Sequence, residues 1–279
     1  MNYEKIAFVG GGNMTRAIAG GLLDAGHAAG DISISEPLAD QRDVLRKNLG
    51  GIHVSDDNAA VVRGAGSVVL AVKPQVLADV CKQLASAVQG SRPLIISIAA
   101  GVRSIDIDSW LGGGLAVVRV MPNQPALLRQ GISGIFANDA TAPEQLAAAS
   151  KIMSAVGSVV AVPNESDIDA VTAISGSGPA YFYLLIDMLA TTGRDLGLDA
   201  TTARQLAAVT ARGAAMLALD SDEAMATLIA KVRSPGGTTA AALDSLEDQG
   251  IRDIFDRALR AAHERAVELA DNAHVSDQD

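Results

Sequence analysis

Residues 67–101 run SVVLAVKP, QVLADVCKQLASAV, then PLIISIAAG. Two short runs of aliphatic, largely β-branched residues flank a stretch whose apolar positions recur at helical spacing. Neither short run alternates apolar with polar residues, so both predict strands buried on two faces. Such strands belong to parallel sheets covered by helices, and a helix between two of them predicts a right-handed βαβ unit. The same alternation fills the first half of the chain. KIAFVG (5–10), DISISE (31–36), IHVS (52–55), LAVVRVMPN (115–123), GISGIFA (131–137) and SVVAVP (158–163) read as further strands. Helical stretches run to about Ala25, over LADQRDVLRKNLG and over residues 75–88. The expectation is an α/β fold with a doubly wound, mostly parallel sheet.

Pro163-Asn164 ends that pattern, and everything after it reads as helix. Two domains are therefore predicted, 1–163 and 164–279. Asp199, Asp222 and Thr238 or Thr239 stand where helix N-caps are expected. The chain is 49% hydrophobic but only 3% aromatic, so its core must be built from Ala, Val, Leu and Ile. Its formal net charge is -10, without a basic stripe, which argues against nucleic acid as a partner. The single cysteine, Cys81, excludes an intrachain disulfide and suits a reducing compartment. Its helical-face spacing makes it a small core residue. MNYEKIAFVG enters a strand pattern without a charged-then-apolar leader, and no apolar run approaches a membrane span. A cytoplasmic protein with no membrane partner is the expectation.

FVGGGNMTRAI carries Gly10, Gly12 and Thr15 on a G-x-G-x-x-G/A frame between a strand and a helix. The first glycine permits a tight turn and the second lets backbone approach a pyrophosphate. Asn13 and Met14 open the helix. Thr15 departs from the small third residue, and looser helix–strand packing is expected there. The second strand ends in Ser35-Glu36-Pro37. An acid at that place suits the ribose 2′-hydroxyl of NAD, whereas Ser35 and Arg42 leave a pocket for the 2′-phosphate of NADP open. Lys73, Ala99-Ala100-Gly101 and Met121-Pro122-Asn123 end later strands, at the sheet edge where ligands bind in this architecture. In the helical half, AISGSGPAYFY breaks a helical pattern with glycines and a proline. Such a break marks a close approach of backbone to a ligand or another helix. RSPGGTT (233–239) reads either as a plain turn or as an anion cradle at a helix start.

Taken in order, GGGNM, VKP, SIAAG, MPNQPA, DAVTAISGSGPAYFY and SPGGTT resemble the pyrroline-5-carboxylate reductases, from Ile6 to about Leu269. The resemblance implies an N-terminal Rossmann-type domain and a C-terminal all-helical dimerisation domain. It also implies a homodimer that can assemble further, and reduction of a cyclic imine to proline with NADP(H) preferred and NAD(H) accepted. It puts the substrate carboxylate on Ser234, Gly236, Gly237 and Thr238, and Thr239 on the ring nitrogen as the catalytic group. The cofactor would meet Gly10, Gly12, Asn13, Met14, Ser35, Glu36, Lys73, Ala99, Ala100, Gly101 and Asn123. Gln124 stands where the family has threonine.

The four histidines, His27, His53, His263 and His274, fall outside every motif, and no metal-ligand spacing is present. An alcohol dehydrogenation needs a general base, so their placement favours an imine substrate. The rivals are a β-hydroxyacid dehydrogenase or another imine reductase, with Asp169 the nearest acid to where such enzymes carry a base, and a non-catalytic dinucleotide sensor.

Overall fold

The computed structural model describes residues 5–275. Its strands are β1 (Ile6–Val9), β2 (Ile32–Ser35), β3 (His53–Ser55), β4 (Ser67–Leu70), β5 (Leu94–Ser97), β6 (Val117–Met121), β7 (Gly131–Ala137) and β8 (Gly157–Ala161). They form one sheet in the order β3-β2-β1-β4-β5-β6-β7-β8. Every pair is parallel except β6 with β7. Strand order reverses between β1 and β4, which creates a crevice beyond their C-terminal ends. Helices α1 (Asn13–Asp24), α2 (Ala39–Asn48), α3 (Asn58–Val62), α4 (Pro74–Ser91), α5 (Ser104–Trp110), α6 (Pro143–Ser154) and α7 (Asp167–Val171) accompany the sheet. The short α3 and α5 hold too few residues to show a period in sequence, and neither is read there. In α6, Ala149, Ile152 and Met153 are buried at helical spacing, a legible pattern that the strand reading passes over.

The uninterrupted apolar runs are explained by two cores. Phe8, Ile34, Ile96 and Val118 pack on one face with Ile18, Leu45 and Ile152. Val9, Ile95 and Val117, next in sequence to Phe8, Ile96 and Val118, pack on the other with Val68, Leu77, Leu84 and Ile107. Each such fully buried aliphatic side chain contributes about 1.5–3 kcal/mol.

Cys81 lies in the second core, fully buried on α4, and desolvation pushes its thiol up to about 12. A thiol reagent at neutral pH is expected to leave the native protein unlabelled and to label it after denaturation. Native labelling at the rate of a free thiol would contradict the burial. The unfolded thiol ionises near 9.0 while the native one holds its proton to about 12. Stability from this group is therefore intact below pH 9 and falls as pH rises through that window.

Secondary structure does turn helical after Asn164, but packing divides the chain elsewhere. One compact unit continues through Ser177 and takes the chain up again from Ala262; the other is Gly178–Ala261. The shift from 163/164 has a physical cause. Asp169 on α7 forms an ion pair with Arg119 on β6 at 3.2 Å, both only 2% exposed in their side chains, which holds α7 to the sheet. Between α7 and α8 (Gly178–Asp195), residues Thr172–Gly176 form a π-helical turn, at the break that the glycines announce.

The second unit contains α8, α9 (Ala200–Asp220), α10 (Met225–Val232), α11 (Thr238–Asp248) and the start of α12 (Ile251–Val275). Asp199 caps α9, accepting from the Thr201 and Thr202 amides at 3.0 Å. Asp222 does not cap α10, which starts after Ala224; Ser221 Oγ instead accepts from the Glu223 amide in the preceding turn. Gly237, not a threonine, occupies the N-cap of α11. Within this unit α8 and α9 pack along each other, yet Phe182, Leu184, Met216 and Leu217 are all at least 60% exposed.

Candidate functional site

Gly10 follows β1 with φ 102, and its amide donates to Ser35 O at 2.9 Å. Added to Gly10, a Cβ would lie 2.6 Å from Ala71 O on the neighbouring strand's exit. Only glycine fits this turn. Gly12 is the N-cap of α1; no side chain caps that helix end and its first turn carries no acid. A Cβ on Gly12 would meet nothing within 4 Å. The helix therefore presents its first amides, at Asn13 and Met14, to open space, which is the donor set a pyrophosphate requires. Thr15 does not loosen the packing as expected. It is fully buried, and its Oγ1 donates to Gly10 O at 2.6 Å, closing the turn from within.

At the end of β2, the Glu36 carboxylate accepts from the Gly11 amide and the Leu38 amide, each at 3.0 Å. It is thereby fixed beside the glycine loop. The Ser35 side chain turns the other way: it is buried and its hydroxyl donates to Phe8 O at 3.4 Å. Its carbonyl accepts from the Gly10 amide. Arg42 donates to the carbonyls of Glu36 and Pro37 at 2.9 and 2.7 Å and pairs with Asp56 at 3.4 Å. The phosphate pocket that sequence left open to Ser35 and Arg42 is therefore not preformed, because both side chains already hold backbone.

Across the switch point lies a pocket of about 350 Å³. Asn13 and Met14 form one wall, Ile98 and Ala100 a second, Met121, Asn123 and Gln124 a third, and Gly176 closes it. Adenosine belongs on the β1–β2 side in such a sheet, so this pocket faces the other half of a dinucleotide. Asn123 braces it: Nδ2 donates to Ser175 O at 3.2 Å and Oδ1 accepts from the Ile132 amide at 3.0 Å. Its side chain thus acts on the pocket's own frame. Ala99 is buried behind the wall, and a Cβ on Gly101 would stand 3.0 Å from the Leu269 Cβ. Lys73, the exposed N-cap residue of α4, is at the C-terminal end of β4 but does not line this pocket.

Gly176 explains part of the SGSG signal. A Cβ there would collide with the Met121 methyl, so the π-helical turn reaches the end of β6 only because the residue is glycine. Sequence reading missed Arg119 and Glu165. An arginine inside VVRVM, a run otherwise apolar, was the available sign, because a buried charge demands a partner. Asp169, the nearest acid to where a rival dehydrogenase would carry its base, is 2% exposed and paired with Arg119. A carboxylate so enclosed does not face a bound alcohol.

In the second unit, Ser234, Pro235 and Gly236 form an exposed turn, and the Gly237 amide donates to Ser234 O at 3.0 Å. Gly237 therefore contributes turn geometry, and the amides offered outward are those of Thr238 and Thr239. No side chain caps α11 and its first turn carries no acid, which leaves both amides and the positive end of the helix dipole unopposed. Arg233 is held by Asp244 of α11.

Residues 165–269 match the family model described as pyrroline-5-carboxylate reductase dimerisation, and residues 5–101 match one described as NADP oxidoreductase, coenzyme F420-dependent. The chain is 45% identical to the pyrroline-5-carboxylate reductase of Pseudomonas aeruginosa over 271 residues, 97% of this chain and 98% of the relative. Among solved structures, it resembles a pyrroline-5-carboxylate reductase from Coxiella burnetii with TM-score 0.92 and 40% identity, over 96% of this chain and 99% of that one. The Plasmodium falciparum pyrroline carboxylate reductase with NADP bound gives TM-score 0.84 and 28% identity, over 95% and 98% of the two chains.

Proposed function

This chain belongs to the pyrroline-5-carboxylate reductase family, and from that premise we propose that the α11 N-terminus is its substrate site and Thr239 its catalytic residue. The reaction is reduction of 1-pyrroline-5-carboxylate to proline, the last step of proline biosynthesis. The observation that carries the site assignment is the uncapped start of α11 behind Ser234–Gly237. A small anionic ring needs two amides and a hydroxyl, and the α11 start supplies them at Thr238 and Thr239. Asp199 already fills the cap of α9, and the uncapped start of α10 has Met225 and Ala226, without a hydroxyl, in those two places.

When bound, the reduced nicotinamide supplies the hydride. The residues of this chain position and protonate. The Thr238 and Thr239 amides hold the carboxylate, with the Ser234 and Thr238 hydroxyls beside them. Thr239 Oγ1 orients the ring nitrogen and keeps its proton there, so that the imine stays electrophilic at carbon. Orientation supplies much of the acceleration, since an iminium needs no strong acid.

NADPH is the proposed donor, with NADH accepted. The match of residues 5–101 to an NADP oxidoreductase model and the NADP-bound relative support the first; Glu36 at the ribose edge supports the second. A homodimer is the proposed assembly, supported by the apolar side chains that the second unit leaves exposed and by the dimerisation model. Among the described residues no helix is long and apolar enough to cross a membrane. A cytoplasmic site of action fits the lone buried thiol.

Steady-state oxidation of NADPH and of NADH, each with and without the cyclic imine, tests the reading. Oxidation that depends on the imine, faster with NADPH, is expected. Imine-independent rates with both cofactors would overturn the enzyme assignment in favour of a dinucleotide sensor.

A further inference from the structure

Arg119 is the largest fully buried side chain of the described residues, and it sits mid-strand on β6, two residues before the pocket wall at Met121. Its Nη2 donates to Asp169 Oδ1 at 3.2 Å, and its Nη1 lies 3.5 Å from Glu165 Oε1 without a hydrogen bond of its own. Glu165 in turn accepts from the Ser104 amide at 2.6 Å and the Ser104 hydroxyl at 2.8 Å. Each member stands at the root of a different part of the pocket: the second wall, the third wall or the closing turn. Glu165 holds the first residue of α5, the helix that follows Ile98 and Ala100. Asp169 sits in α7, which runs straight into the π-helical turn ending at Gly176. Arg119 lies on the strand that becomes Met121–Asn123. Asn123 then joins the third wall to the π turn through Ser175 O.

Burying one guanidinium against two acids is a poor way to gain stability alone, because apolar replacements of such sets are commonly neutral or better. What a forked charge does better than an apolar side chain is fix directions, since its donors accept partners only along set lines. The π turn points the same way: such turns recur at functional sites.

We propose that Arg119, Asp169 and Glu165 are positioning residues that set the second and third pocket walls and the Gly176 turn against one another, and so the angle at which the reacting ring of the cofactor is held. This rests on the reductase reading for its kinetic readout only.

The test compares Asp169→Asn with the parent full-length enzyme. NADPH affinity, measured by fluorescence without substrate, should stay within about threefold, because the glycine loop is untouched. Turnover on the imine should fall roughly 10²-fold, as small misplacements at a reacting centre do. Without cofactor, amide exchange should quicken in residues 98–110 and 170–178 while β1–β2 keeps its protection. A kcat per folded site within about twofold of the parent, or exchange loosened evenly over the sheet, would overturn the proposal. If Asp169→Asn does not fold, Glu165→Gln, at a more exposed position, decides the matter: parental turnover and exchange reject the positioning role, and a loss of about tenfold with loosening confined to 98–110 supports it. A parent enzyme without imine-dependent turnover rejects the reductase reading instead, leaving the exchange pattern to judge the cluster.

Discussion

Thr239→Ala is expected to lower kcat on the cyclic imine by about 10²-fold while NADPH affinity stays within about twofold. Thr239 is the second residue of α11, half-buried, directly after the uncapped Gly237 and the first helical residue Thr238. Alanine is the better helix former, so the substitution does not weaken α11. Lost turnover therefore cannot be put down to lost structure. The amides that hold the carboxylate remain, so KM for the imine should rise little compared with the fall in kcat. Thr239→Ser keeps the hydroxyl and should retain most of the rate. Parental turnover in Thr239→Ala would remove this side chain from the chemistry, and an equal rise in KM would make it a binding group only.

Gly10→Ala should damage both fold and cofactor site. A Cβ there stands 2.6 Å from Ala71 O and 3.1 Å from Val72 Cγ1, on backbone at φ 102. The strained dihedral alone costs about 1–3 kcal/mol, and relieving the clash must part the exits of β1 and β4. Because Gly10 O also accepts from Thr15 Oγ1, the start of α1 moves with it. Thermal unfolding should drop by several degrees (roughly 4–8 °C for each 1 kcal/mol in a small domain, less in a chain this long), and NADPH affinity should fall by more than about tenfold. Gly12→Ala is the informative contrast. Its methyl meets no protein atom within 4 Å, so stability should change by no more than about 0.5 kcal/mol. Cofactor affinity should nevertheless fall, because the methyl occupies the space a pyrophosphate approaches. Two equally destabilised variants would contradict this account of the loop, as would a Gly12→Ala that binds NADPH normally.

Much of the architecture was legible because the relevant forces are local and periodic. The central strands β1, β4 and β5 announce themselves as short apolar runs, since strands covered on both faces have no polar side to show. By contrast, β2, β3 and β8 carry polar or exposed positions and signal more weakly. The dinucleotide turn is legible because its glycines obey backbone sterics at fixed spacing. The RSPGGTT turn was ambiguous alone and gained its meaning from the motifs around it. What stayed hidden depends on partners far apart in sequence. Ser35 and Asn123 looked available to a ligand, yet one hydroxyl faces Phe8 O and one amide braces Ser175 and Ile132. Gly237 looked like an amide donor and proved to close its own turn. Thr15 looked like a defect and proved to be a hydrogen-bonded closure.

By itself, then, the order of apolar runs, glycines and hydroxyls determined the sheet, its helical layers, the family and the two stretches where chemistry is possible. Each of those follows from constraints that span a few residues. Only tertiary structure decided which side chains are free to meet a ligand and where the compact units divide. It also revealed the group that ties the pocket together. Arg119, Glu165 and Asp169 lie up to 50 residues apart, and nothing in local pattern says that one buried charge will find those two acids. That choice belongs to the folded chain, where a charge taken out of water must meet its counter-charge or not be buried at all.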